Sequence, residues 1–321
     1  MNYNSNIIFK VKNTKELTSL EIKQINKLYL DIFQDDRNEE QFYKKFLNKL
    51  IGFSYHGLIV KDNVIIGTYN IIPYEYIYFG KKFIFGLSVD TMISQKEKVD
   101  LTSLKNVSSL VYQEILKNNI FFVLGFPNKN FHPIQNRLLG WQNIGVLNYY
   151  ILPLNFFKFF LFKKIIYVSI MIFNNIISLF FNNKDFKKNI FLNSNDVLIN
   201  DRFNKSYKSI VIDDIKFFYK IIFNKGKYFQ RTLYLLNSDP LNMLSTNKFI
   251  KHCLNKEIDN IDCIVFASNY NPQINSMVKL PLKMIKNPLF LCGKILDNTK
   301  IDKNIFNIDN WLVNLSNNDH I

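Results

Sequence analysis

The chain has 321 residues, 48% of them hydrophobic, enough to bury a sizeable core and, by length, to form about two domains. Its formal net charge of +15 admits anionic partners, but the 41 Lys and Arg are scattered rather than striped, and the 31 Phe and 17 Tyr are inflated beside them, as an AT-rich coding sequence would give; a nucleic-acid surface is not expected. Cys253, Cys263 and Cys292 lie far apart with no Cys-x-x-Cys pair or His cluster, which argues against a metal site or a disulfide framework and for a reducing, cytoplasmic setting.

Residues 1–15 are polar and carry no apolar signal core. Residues 18–33 read as a helix, with Leu20, Ile22, Ile25, Leu28 and Ile32 near helical spacing and a capping box at Thr18 and Glu21. A second short helix spans 39–50, with Phe42, Phe46 and Leu50 on one stripe. An antiparallel meander follows: strands at 55–60, 64–69 and 74–79, a turn at Lys61-Asp62-Asn63, another at Gly80-Lys81-Lys82, and a strand at 83–93. In that last strand Phe83, Phe85, Leu87, Val89, Thr91 and Ile93 share one face, while Gly86, Ser88, Asp90 and Met92 share the other, so one face is core and the other is free to meet a ligand. Leu104, Val107, Val111 and Ile115 mark a third helix, ending near 117. A strand at 119–125 runs into Gly125-Phe126-Pro127-Asn128. A short helix at 133–139, a Leu139-Gly140-Trp141 corner and a strand at 145–152 complete this half.

The order of elements, with Asp90-Thr91-Met92-Ile93, Gly125-Phe126-Pro127-Asn128 and Leu139-Gly140-Trp141, resembles the GNAT (Gcn5-related N-acetyltransferase) superfamily, and within it a branch of acyltransferases of surface-polysaccharide biosynthesis. The resemblance covers residues 10–152. It implies an α+β fold, with a mixed, mostly antiparallel sheet flanked by helices, and direct attack of an amine on acetyl-CoA or another acyl-CoA in a ternary complex. A backbone N–H between Gly86 and Thr91 would polarise the acyl carbonyl. The acceptor implied is a small molecule, an amino sugar presented as a sugar nucleotide or a lipid-linked sugar.

The resemblance places cofactor contacts on Ser88, Thr91, Met92, Lys96, Lys98, Thr102, Ser103 and Asn128. The diphosphate loop of the family is glycine-rich and opens a helix, so that backbone N–H groups meet the anion. Here the matching stretch is Gln95 to Ser103, with Lys98 where an Arg belongs, Val99 and Leu101 in place of the glycines, and Asp100 adding a negative charge. Either Lys96, Lys98 and the N–H groups near Thr102 and Ser103 still hold a diphosphate, or the fold serves another acyl donor or binding without chemistry, or the loop is ordinary, with Thr102 or Ser103 as the helix N-cap. The family's usual tyrosine acid falls on Asn136 here. The catalytic candidates are therefore Asp90, Glu75 and Tyr74, with His56 and His132 behind them; a carboxylate buried at Asp90 would take a proton near neutrality. No metal site, nucleophile elbow, Walker loop or dinucleotide fingerprint is present.

Residues 154–181 are dense in Phe and Ile, but the uninterrupted apolar part is short of the ~20 residues of a spanning helix. An amphipathic helix is expected, packed on the protein or lying on a membrane surface. Residues 182–195 read as a linker. Helices are expected at 209–224 and 245–255, strands at 228–236 and 262–268. By resemblance, residues 196–321 form a second, abbreviated or degenerate GNAT-like domain, resting on the 261–268 strand and on 286–294. The division expected is 1–152, 153–195 and 196–321. The alternative to an enzyme is a catalytically degenerate binding or scaffold protein of the same fold.

Overall fold

A computed structural model describes residues 7–47, 50–97, 100–154, 169, 172, 188–193, 207–223, 230–237, 243–257, 260–272 and 277–317. In chain order the elements are β1 (Ile7–Asn13), α1 (Ser19–Phe33), α2 (Glu39–Phe46), β2 (Tyr55–Lys61), β3 (Val64–Tyr78), β4 (Lys81–Ile93), α3 (Leu101–Lys117), β5 (Phe122–Gly125), α4 (His132–Leu139), β6 (Gln142–Val146), β7 (Asn148–Pro153) and β8 (Ile190–Leu192). There follow β9 (Lys208–Ile212), β10 (Ile215–Phe223), β11 (Arg231–Leu235), α5 (Met243–Glu257), β12 (Cys263–Ser268), β13 (Val278–Lys279) and β14 (Phe290–Ile295).

The chain packs as two compact units: Met1–Gly145 with Ile190–Arg202 and Leu289–Ile308, and Val146–Asn189 with Phe203–Pro288 and Asp309–Ile321. These units differ from the contiguous division expected from the sequence. Residues 289–308 return to the first unit, because β14 supplies the strand next to β5, with Cys292 opposite Gly125 and Ile295 opposite Phe122. That segment is not part of a second GNAT-like domain.

The first unit's sheet runs β1-β2-β3-β4-β5-β14-β6, and β8 adds to the far end of β3. Neighbours pair antiparallel at β1–β2, β2–β3, β3–β4 and β5–β14, and parallel at β4–β5. Asp62 and Asn63 take left-handed φ of 49° and 64°, the geometry of a two-residue hairpin turn, which short polar side chains tolerate. β1 was not foreseen in the polar leader, although Ile7, Phe9 and Val11 alternate there; β3 is one strand of fifteen residues rather than two, running through Pro73. Capping boxes at Thr18 and Asn38 start α1 and α2. The helices cover opposite faces. Leu104, Val107 and Val111 of α3 pack on Tyr55, Ile59, Tyr69 and Ile71, while Phe42 and Phe46 of α2 pack on His56.

In the second unit the sheet runs β13-β7-β12-β11-β10-β9. β11 and β12 pair in parallel with α5 between them in sequence, and Phe217, Leu233, Leu235, Phe249, Ile264 and Phe266 form the core. The helix expected at 209–224 is instead the β9–β10 hairpin, because Asp213 and Asp214 both adopt left-handed φ, which reverses the chain there. Most of the apolar stretch 154–181 lies outside the described residues, and no helix among those described is long and apolar enough to cross a membrane.

Candidate functional site

The site begins with a fault in the β3–β4 register. Asn70 faces Val89 and Thr68 faces Met92, so Asp90 and Thr91 together oppose Tyr69. An extra residue of this kind is a β-bulge, which slips the alternation of side chains by one. Asp90 carries the slip with a left-handed φ of 44°. The expectation that Ser88, Asp90 and Met92 share one face is therefore corrected. Ser88, opposite Ile71, faces α3, whereas Val89, Asp90 and Met92 face α1 and α2.

The bulge is held from three directions. The Asp90 carbonyl oxygen accepts bonds from Thr68 Oγ1 (3.0 Å) and Asn70 Nδ2 (3.0 Å). Its carboxylate, wholly buried, accepts from Arg37 Nη1 (2.7 Å) and Lys45 Nζ (2.9 Å). Arg37 is fixed in turn by Asn26 Oδ1 (2.8 Å) and by the Tyr29 ring, 4.1 Å below its guanidinium. Behind Asn70 stands His56, whose Nδ1 lies 2.9 Å from Asn70 Oδ1 and whose Nε2 lies 3.0 Å from Thr14 Oγ1. Burial pulls the His56 pKa down to about 4, so the ring is neutral at physiological pH. Because the Asn70 amide donates to Asp90, its oxygen takes the proton on His56 Nδ1, which leaves Nε2 an acceptor facing the Thr14 hydroxyl, itself also 3.1 Å from Phe46 O and 3.2 Å from Ser54 O.

Next to the bulge the sheet opens. β4 and β5 pair only at Gly86–Val123 and Leu87–Leu124, after which β4 continues to Ile93 while the chain beyond Gly125 turns off through Pro127 and Asn128. The bond from Ser94 N–H to Ile66 O (2.8 Å) and the Thr68–Met92 pairing set the alternation of this antiparallel ladder. Thr91 and Ile93 accordingly direct their N–H groups away from β3, to the side that β5 has left. Ser88 and Trp141 border Gly125 at the base of the opening: a Cβ added there would touch Ser88 O and Trp141 Cζ3, both at 3.4 Å. A buried hydroxyl chain backs it. Tyr69 and Tyr112 hydroxyls lie 2.8 Å apart, Trp141 Nε1 donates to Tyr112 (2.8 Å), and the Ser88 hydroxyl neighbours Tyr69. Burial pushes Tyr112 up to about 12 and Tyr69 well above its ordinary value, so both keep their protons. No motif announced this chain, whose members are 43 and 29 residues apart.

No protein-family model and no curated protein matches the sequence. Solved structures do match. The chain aligns over 90% of its length with 73% of a GCN5-related N-acetyltransferase from Anabaena variabilis, at TM-score 0.58 and 13% identity. It aligns over 90% with 72% of one from Kribbella flavida, at TM-score 0.55 and 8% identity. The fold is that of the GCN5-related N-acetyltransferases. A further match, at TM-score 0.51 and 10% identity, covers 91% of this chain and 80% of the N-myristoyltransferase of Saccharomyces cerevisiae with bound myristoyl-CoA.

The residues that the GCN5-related resemblance named are not all brought together. Thr91 stands on the bulge and Ser88 at the start of the opening, while Met92 is buried at 1% exposure under α1 and α2. Tyr74 and Glu75 lie further along β3, Glu75 roughly 17 Å from Asn70 at ~3.4 Å per residue. Tyr74 is buried; Glu75 bonds to the Asn193 amide and to Lys82 (3.2 Å), which hold its carboxyl below the usual range. His132 opens α4, stacks on Phe290 at 4.2 Å and lies 3.2 Å from Asn136 Nδ2. Asn128 closes the turn into α4 by accepting from Asn130 N–H (3.0 Å) and Phe131 N–H (2.9 Å).

The diphosphate loop departs most from its expectation. Lys98 lies outside the described residues, and the exposed Lys96 pairs with Asp31 (3.2 Å). The N-cap of α3 is neither Thr102 nor Ser103 but Asp100, whose carboxylate takes the Thr102 N–H (3.2 Å) and hydroxyl (2.7 Å). Ser103 is buried, with its N–H bonded to Asp100 O (2.9 Å). The chain's own carboxylate thus caps the helix at the stretch where the sequence resemblance expects a diphosphate. Beside the bulge the Thr91 and Ile93 N–H groups face the side that β5 has left, and at the first turn of α3 the Thr102 N–H is already taken by Asp100.

Proposed function

We propose that the protein is an acyl-CoA-dependent N-acyltransferase, with acetyl-CoA as first donor and a small amine as acceptor, an amino sugar being the class the sequence resemblance implies. The observation that carries this reading is the Asp90–Thr91 bulge beside the point where β5 leaves β4, within a GCN5-related fold. When bound, acyl-CoA supplies an activated acyl carbon and a thiolate leaving group. The chain contributes the Thr91 N–H, aimed from a rigid strand at the position of a developing oxyanion, where a fixed donor outweighs one that must reorganise. The Ser88 side of the opening is bordered by Gly125 and Trp141, and the buried Trp141 ring gives it an apolar wall. Lys96 and the first turn of α3 receive the diphosphate after displacement of Asp100.

A second reading has its own observation. Asp100 already satisfies the helix N-terminus, as a fold kept for binding without chemistry would allow. Calorimetric titration with acetyl-CoA separates the two. Heat of binding with thermal stabilisation supports the transferase; no heat and no stabilisation at millimolar acetyl-CoA would leave only the non-catalytic reading.

A further inference from the structure

Left-handed backbone is uncommon in a residue with a Cβ, and outside turns, helix ends and bulges it marks a place where the surroundings hold the chain. Among the described residues Gln34 ends α1, Asp62 and Asn63 turn β2 into β3, Phe79 turns β3 into β4, Asn119 follows α3, and Asp213 and Asp214 turn β9 into β10. Asp90, at φ 44°, is the one inside a strand, and no sharp reversal of the chain explains it. A glycine would adopt this conformation freely; an aspartate tolerates it at a cost, which the contacts around Asp90 offset.

We infer that Asp90 is a positioning residue, and that its ion pairs to Arg37 and Lys45 pin the bulge that aims the Thr91 N–H at an acyl carbonyl. The inference rests on the acyl-CoA reading for its target, but the contacts that pin the bulge do not depend on it. Both carboxylate oxygens are occupied, Oδ2 by Arg37 and Oδ1 by Lys45, so the side chain anchors rather than exchanges a proton. The carbonyl of the same residue is fixed by Thr68 and Asn70 from the neighbouring strand, so the peptide that follows, which carries the Thr91 N–H, has no freedom to rotate. Arg37 enters from the connection between α1 and α2, and Lys45 from α2 itself. The helices on this face thereby set the direction of a backbone donor in the sheet. A donor displaced by about 1 Å from its productive place can cost ~100-fold in rate, which makes such a pin worth its buried charge.

The test uses the full-length protein, two variants and two probes. Asp90→Asn removes the charge and keeps the shape and a residue tolerant of left-handed φ. Lys45→Met removes the outer of the two cations, whose side chain is 19% exposed, and is the milder change should the first fold poorly. The carbon-13 resonance of [1-13C]acetyl-CoA moves downfield on binding to a site that polarises its carbonyl. In the wild type that shift is expected; in both variants it collapses toward the free value, while affinity for CoA, which has no carbonyl, is retained. A variant that keeps the full shift overturns the pin, and so does a wild type that binds acetyl-CoA with no shift. If the wild type binds neither acetyl-CoA nor CoA, the acyl-CoA reading fails by itself. Amide hydrogen exchange at 89–91 then decides the pin: faster exchange in Lys45→Met supports it, and unchanged exchange overturns it.

Discussion

Tyr112 is the centre of the hydroxyl chain under the opening, and its removal is predicted to cost more than that of its partner Tyr69. The Tyr112 oxygen accepts the Trp141 indole N–H and shares a bond with Tyr69, both at 2.8 Å, and the three residues are exposed by 7%, 3% and 0% respectively. In Tyr112→Phe the indole N–H is left in the core without its acceptor, at about 1–3 kcal/mol, and the Tyr69 bond is lost, at about 0.5–1.5 kcal/mol. A destabilisation of about 2–4 kcal/mol is expected. In Tyr69→Phe the Tyr112 oxygen still receives Trp141, so what is lost is the Tyr112 bond and the Ser88 hydroxyl's bond, about 0.5–1.5 kcal/mol each, and no indole N–H is left without its acceptor. The double variant should fall short of the sum, because the Tyr69 bond can be lost only once. Urea unfolding followed by circular dichroism, with midpoints compared at unchanged slope, measures all three. Tyr69→Phe costing as much as Tyr112→Phe, or strict additivity, would refute the assignment of Tyr112 as the shared acceptor.

Asp100→Ser keeps a capping side chain while removing the charge, so acetyl-CoA should bind several-fold more tightly by calorimetry; unchanged or weaker binding would place the diphosphate away from α3. His56, neutral when folded with a pKa of about 4 against an ordinary 6.5, takes a proton in the unfolded chain first. Its contribution to stability is therefore lost as pH falls from about 6.5 to about 4, and the wild type should show a steeper decline over that window than His56→Gln; parallel curves would contradict a buried neutral ring. Ending the chain after Pro288 removes β14, with Leu291 and Cys292 fully buried against β5, and should abolish cooperative unfolding of the first unit as seen by calorimetry; a truncated chain with an unchanged transition would mean that the segment is dispensable.

Local chemistry made much of the first unit legible in the sequence. Capping boxes at Thr18 and apolar stripes in α1 and α3 declare themselves within one or two turns, and the Asp62-Asn63 pair announces its hairpin because short polar side chains tolerate left-handed backbone. The same signal was present at Asp213-Asp214, where the dense Phe and Ile on either side suited a helix as well as a hairpin, and tertiary pairing decided for the strands.

The strand 83–93 was recognised by alternation alone, and alternation cannot show where it slips. One extra residue opposite Tyr69 moved Asp90 to the other face, and only the partner strand reveals that count. By itself the sequence determined most of the helices and hairpins of the first unit and the resemblance of their order to the GCN5-related one, since these depend on neighbours within a few residues. The tertiary structure alone decided that Arg37 and Lys45 meet Asp90, that Tyr69, Tyr112 and Trp141 share hydroxyl bonds, and that residues 290–295 complete the first sheet. Those contacts join positions tens to more than a hundred residues apart, and nothing in a linear pattern encodes which distant side chain will satisfy a buried charge or an open strand edge.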